Sequence, residues 1–308
     1  MYYAVKHETR FHYSEPIHES VMELYMQPRT EGIQRCLRFQ LLTSPRARVF
    51  ERYDTLGNGV HFFDIPAHHD NLTIAAESVV ELVVPPPLPD ALGEEAWQTL
   101  DSMTITSDFW DMLTPSPRTE PTPLLKEFAL ELDVKRRDDP LSLLQELNSA
   151  VYNAFDYSSS TTEVDSPIDV ALEARKGVCQ DFSHVLIALV RSVGIPCRYV
   201  SGYLFYHKDD RSVPDATHAW AEAYLPQIGW VGFDPTNNLI AGERHIRVAI
   251  GRDYNDVPPT RGFFKGTAYT ELEVVVEITP TEAPFAVEKL LPLSGWIPET
   301  DEHQSQQQ

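Results

Sequence analysis

Three cysteines in 308 residues, at positions 36, 179 and 197, are too few and too odd in number for a disulfide framework. They imply free thiols in a reducing cytoplasm. Basic residues are scarce as well: 25 Lys and Arg stand against 46 Asp and Glu, a net charge of −21. A surface of that sign repels phosphate backbones and anionic headgroups, which argues against nucleic-acid and membrane binding. Nowhere do about 20 apolar residues run together, so no transmembrane helix is expected. The opening MYYAVKHETRFHYSE lacks the basic and then apolar regions of a secretory signal. Cofactor motifs are missing too. There is no His-Glu-x-x-His, no paired Cys-x-x-Cys, no Gly-x-Gly-x-x-Gly and no Walker loop, so neither a metal nor another cofactor is expected. Adjacent His68 and His69 would point to opposite faces of a strand, and His184 lies off the helical face of Cys179.

What is present describes a soluble globular chain of two domains. Hydrophobic residues make up 42% and charged residues 23%, enough to bury a core at this length. Prolines are abundant and punctuate the chain between candidate elements. From Tyr3 to Tyr13 the odd positions Tyr3, Val5, Phe11 and Tyr13 alternate with Lys6, Glu8 and Arg10, which is strand periodicity. The same alternation recurs at Ile33–Leu41 and Leu72–Ala76, with turn chemistry at Asp54-Thr55-Leu56-Gly57-Asn58-Gly59 between them. These short strands predict a β-sandwich or barrel over residues 1–84. The proline run at 85–89 ends it and opens a proline-rich connector over 85–123, with one helix expected at 92–113.

Residues 124–280 read as an α+β domain, helices first and an antiparallel sheet afterwards. Asp139-Pro140 looks like an N-cap with proline at N1, and Ser166-Pro167-Ile168-Asp169 looks the same. A third helix starts near Cys179, with Phe182, Val185, Leu186, Leu189 and Val193 on one stripe, and stops at Gly194-Ile195-Pro196. Strands are expected at 197–206, 217–225, 230–234 and 270–278. The stretch 281–308 is a polar tail with a disordered composition.

Cys, His and Asp are the parts of a thiolate nucleophile, its base and the carboxylate that orients the base. Cys179 falls where a helix begins, so unpaired N–H groups and the positive end of the macrodipole favour a thiolate. Arg175 and Lys176 add positive charge, whereas Asp181 opposes it. Cys36 and Cys197 fit the plainer role of small buried hydrophobes. His218 and Asp234 pass a test of strand parity. Matching the Ala219, Ala221, Ala223 face to Val231 and Phe233 in a hairpin puts both on the same side. Pairing Tyr224 with Trp230 sets Asp234 diagonal to His218, with Cβ atoms about 7 Å apart. A register two residues different makes them direct neighbours, and either leaves them able to hydrogen-bond.

Gly-Val-Cys179-Gln-Asp-Phe, the Gly194–Tyr203 turn and strand, His218-Ala-Trp220 and Phe233-Asp234-Pro-Thr236 together resemble the transglutaminase-like superfamily. Tyr13-Ser14, Pro28-Arg29 and Asp54–Asn58 resemble the bacterial N-terminal domain often attached to it. Gly251–Gly262 resembles the ending of those bacterial proteins. The resemblance implies a papain-like core with Cys179 as nucleophile, His218 as base and Asp234 as orienting carboxylate. No EF-hand-like run is present, so no calcium requirement is inferred. An upstream aromatic oxyanion donor in the family points to Tyr157, though a packing role is preferred for that residue. Trp220 either roofs the cleft or belongs to the core. Gln180 is a candidate substrate contact, while Asp253, Tyr254 and Asp256 fall in a loop that could border the cleft.

The expected activity is thiol-dependent acyl transfer or hydrolysis at a peptide or protein amide, with an amine as acceptor in the transfer case. The alternative is a non-catalytic peptide-binding or scaffold protein on the same fold.

Overall fold

The computed structural model describes residues 1–93, 95–105 and 109–283. The N-terminal half is built from β1 (Tyr2–Leu24), β2 (Gln34–Ser44), β3 (Phe50–Tyr53), β4 (Gly59–Ile65) and β5 (His69–Leu82). The expected separate short strand at 3–13 is the first part of one 23-residue strand. The first part of β1 pairs with β5. Beyond a register shift between His12 and Ile17, its second part pairs with β4. Changing partners along one strand curls the sheet around Tyr13, Ile17, Met22, Leu24, Phe63 and Ile74. The 54–59 turn joins β3 to β4, and Gly57 there has φ +75°, the left-handed conformation that glycine tolerates.

The connector carries α1 (Glu95–Ile105) and α2 (Trp110–Leu113) in place of the single helix expected at 92–113, followed by α3 (Pro123–Glu131). In α4 (Pro140–Ala154) the predicted cap is present, with Asp139 accepting from Ser142 N–H at 2.7 Å. The same carboxylate accepts from Leu92 N–H at 2.6 Å and so pins the connector. Then come β6 (Asp156–Tyr157), α5 (Ile168–Ala174), β7 (Lys176–Gly177) and α6 (Cys179–Ser192). Pro167 is itself the N-cap of α5 and offers no side-chain acceptor, so that helix starts without the Asp-Pro device of α4.

The second sheet comprises β8 (Cys197–Leu204), β9 (His218–Leu225), β10 (Gly229–Asp234), β11 (Leu239–Ile240) and β12 (His245–Gly251), ordered β11-β10-β9-β8-β12. Tyr224 pairs with Trp230, one of the two registers that parity left open. The apolar stripe of α6 shares one core cluster with Ala219, Ala221, Ala223 and Leu225. On the opposite face Glu222 is fully buried between Arg198 at 2.6 Å and Arg247 at 2.5 Å.

After the short 3-10 turn Tyr254–Asp256 come β13 (Thr260–Lys265) and β14 (Thr270–Thr281). Here the sequence expectation fails. The strand placed at 270–278 in the second sheet runs instead along β1, with His7 opposite Val276, and β13 also pairs with β1. Alternation of Leu272, Val274, Val276 and Ile278 marks a strand but does not say which edge it joins. The edge strand β12 is already occupied by side chains of the N-terminal half. Gln34 exchanges two 2.7 Å hydrogen bonds with the backbone of Arg247. Asn58 does the same with Ile250, at 2.8 and 2.9 Å. Two amide groups thus stand in for a neighbouring strand and cap the open edge. No helix among the described residues is long and apolar enough to cross a membrane. The expected tail lies outside the described residues from 284 onward.

Candidate active site

Cys179 is the first residue of α6, half-buried, where the helix amides lack intrahelical partners. Its approach is set by Asp181, whose carboxylate turns back to accept from Val178 N–H at 2.8 Å and from Thr162 Oγ1 at 2.6 Å. Upstream, Tyr157 and Gly177 are paired in the short parallel bridge β6-β7, which brings the phenol alongside the helix start. Arg175 does not supply the positive charge expected of it. Its guanidinium pairs with Glu131 at 2.5 Å and stacks over Phe128.

His218 opens β9 and Asp234 closes β10. His218 Nε2 lies 2.8 Å from Asp234 Oδ2, with the two side chains 3% and 0% exposed. A buried imidazole alone would be neutral, and burial does pull His218 down. The Asp234 charge and hydrogen bond, followed by the Cys179 thiol, outweigh burial and raise it above its ordinary 6.5 to about 10. Asp234 is held well below the usual carboxylate range: burial opposes ionisation, but the charge and hydrogen bond of His218 and a hydrogen bond from His245 prevail. With Nε2 committed to the carboxylate, Nδ1 is the nitrogen left for the thiol. The fold therefore gathers Cys179, His218 and Asp234 from three elements into one charge-coupled group.

Of the other thiols Cys197 is buried as expected, whereas Cys36 is half-buried like Cys179 and sits on a strand; burial nonetheless raises both. It pushes Cys36 up to about 11 and Cys197 to about 12. Tyr157 is pushed up to about 12, first by burial and then by the charge of Cys179, and its hydroxyl accepts from the backbone of Val213. It also packs edge-on against Phe182.

The other candidates are engaged in structural contacts. Gln180 spends its amide on the Val164 carbonyl at 3.0 Å. Trp220 is 1% exposed and stacks on His218 at 6.1 Å. It packs with Val200 and Ile250 in a core cluster and lines a cavity of about 880 Å³ on the sheet face away from α6, with Trp230, His245, Arg247 and the 85–89 proline run. Asp253 accepts from Asn255 N–H in its own loop and from Arg118 N–H of the connector, Tyr254 packs edge-on against Tyr199, and Asp256 pairs with Arg252.

Two nearby residues escaped the sequence reading. Tyr199 is fully buried and its phenol is raised by burial and then by the Cys179 charge. Its parity with Cys197 on β8 was the available signal. His245 lies 3.2 Å from Asp234 Oδ2, and no local pattern distinguished it among 11 histidines. Among the described residues, the donor atoms of His218, Asp234 and His245 lie within 4.8 Å of one another, close enough to hold a metal ion. Those same atoms are already joined by hydrogen bonds.

Residues 127–235 match the model of the transglutaminase-like superfamily, and residues 3–81 match that of the bacterial transglutaminase-like N-terminal region. The chain belongs to the transglutaminase-like superfamily. Among its relatives is an uncharacterised protein of Mycobacterium leprae, 35% identical over 278 residues that cover 89% of this chain and 97% of that protein. A protein-glutamine gamma-glutamyltransferase of Pseudomonas aeruginosa is 31% identical over 114 residues, 33% of this chain and 16% of that protein. The same transglutaminase-like fold occurs in a crystal structure from Cytophaga hutchinsonii assigned as a candidate cysteine protease. It has a TM-score of 0.73 at 22% identity and covers 92% of both chains. Cys179, His218 and Asp234 all fall inside the matched core, whereas His245 lies beyond it.

Proposed function

We propose that the protein is a cysteine acyltransferase or hydrolase that acts at a peptide or protein amide through a thioester on Cys179. The observation carrying this reading is the His218 imidazole, held charged between the Asp234 carboxylate and the only half-buried thiol at a helix start. The Cys179 sulfur attacks the amide carbon, and the oxyanion that forms is stabilised by the unpaired amides of the first turn of α6. His218 passes its proton to the leaving nitrogen as the C–N bond breaks, while Asp234 holds the ring in line. A water or an amine then attacks the thioester and gives its proton to His218, which frees the sulfur. Water yields amide hydrolysis and an amine yields a new amide. The reading needs reduced sulfur, and so includes a cytoplasmic setting.

The test begins with iodoacetamide and mass spectrometry at neutral pH. Cys179 is expected to be alkylated while Cys36 and Cys197 remain unmodified, since burial keeps both of them protonated thiols. A dansylated glutamine peptide, with and without a biotinylated amine, then separates transfer from hydrolysis. Equal labelling of the three thiols, unchanged in His218→Ala, would favour the scaffold alternative and overturn the proposal.

A further inference from the structure

The hydrogen bonds around Asp234 include an imidazole that the reaction above does not use. His245, the first residue of β12, is 6% exposed. Its Nε2 lies 3.2 Å from the same carboxylate oxygen that receives His218. The tautomer is set from the far side of the ring. Gly242 N–H donates to Nδ1 at 3.3 Å, so the proton sits on Nε2 and points at Asp234. Charged groups facing it are Asp234 from β10, His218 from β9 and Arg244 just before it in the chain. Burial, with the two cations, holds the ring below its ordinary value despite the pull of Asp234, so it is a neutral donor.

The carboxylate is gripped unequally without it. Oδ1 accepts from the turn amides Thr236 N–H at 3.0 Å and Asn237 N–H at 3.2 Å. Oδ2, which must stay aimed at His218, has beyond that partner only Asn237 Nδ2 at 2.8 Å and His245. Asn237 reaches Oδ2 from the same turn that carries Asp234. His245 reaches it from another strand, three places away in the sheet. That strand is itself held by Gln34, Asn58 and the 3.0 Å bond from Arg29 N–H to the Arg247 carbonyl.

We propose that His245 is a positioning residue that fixes Asp234 Oδ2 against His218, and that through β12 it makes the N-terminal half a supporting part of the site. The inference rests on the reading of Cys179 and His218 given above, and its test carries one readout that does not involve the thiol.

His245→Phe removes the donor and keeps a ring in the slot, while His245→Gln keeps an N–H that can reach the carboxylate. Iodoacetamide alkylation of Cys179 is followed as a function of pH, with thermal melting as the check on folding. His245→Phe is expected to slow alkylation by about 10–100-fold, the worth of a hydrogen bond to a charged group. The effect should be largest on the acid side, where the thiolate depends on the imidazolium, and His245→Gln should recover most of it. The second readout is the His218 Nε2 proton by NMR in a Cys179→Ala background. It should be downfield and slow to exchange, lost in His245→Phe and retained in His245→Gln. An unreactive Cys179 in the native protein, with that proton behaving as stated, refutes the proposed reaction and supports the role of His245. Persistence of the proton in a folded His245→Phe protein, or a loss that glutamine does not repair, overturns the inference.

Discussion

Replacing Asp234 with asparagine keeps size and shape and removes one charge, so it isolates what the carboxylate does. Oδ2 accepts three hydrogen bonds, from His218, His245 and Asn237, and Oδ1 accepts two, from Thr236 and Asn237. An asparagine has a single acceptor oxygen. Whichever way its amide faces, an NH2 group meets donors in a fully buried site. Breaking a buried ion pair costs about 3–5 kcal/mol. Its pH dependence follows from the two shifts. Asp234 is depressed in the fold, so its contribution is present above the unfolded value near 3.8 and lost as pH falls through the folded one. His218 is raised, so its contribution is complete below about 6.5 and lost as pH rises toward about 10. The stability gap between native protein and Asp234→Asn should therefore be widest between about pH 4 and pH 6.5. Toward pH 10 it should shrink to the ~1–3 kcal/mol cost of unsatisfied N–H groups. Urea unfolding followed by circular dichroism across that range measures it directly. A gap that stays constant, or widens in alkali, would refute the ionic account of the site.

Two further substitutions probe the supports. A Cβ on Gly177 would lie 2.5 Å from Asp181 Oδ2 and 2.9 Å from its Cβ. Gly177→Ala should push the carboxylate off Val178 N–H, cost about 1–2 kcal/mol in urea as other lost caps do, and slow Cys179 alkylation. Asn58→Ala strips the partners from both the N–H and the C=O of Ile250 on β12. It should cost about 1–3 kcal/mol and raise amide exchange at Ile250 before that of α6; uniform exchange across both elements would count against a local clamp.

Much of the core was legible locally. The Asp139-Pro140 cap, the α6 stripe and its stop at Gly194 all depend on residues within a few turns of each other, where periodicity and capping chemistry act. Parity was enough to set His218 beside Asp234, because a hairpin with a three-residue turn and one apolar face permits few registers. The long connection was not legible. β14 has a strand's alternation, yet its place on β1 depends on which sheet edge remains open after Gln34 and Asn58 cover β12.

Composition and motif by themselves determined the class of this chain: an acidic, thiol-bearing α+β protein with Cys179 at a helix start. Those features are written in short windows where each residue acts on near neighbours. Only tertiary structure decided that Arg175 turns away from the thiol, that Trp220 faces a rear cavity, and that His245 shares an oxygen with His218. Such contacts join residues tens to hundreds of positions apart, and their partners are chosen by the burial and pairing of the whole molecule.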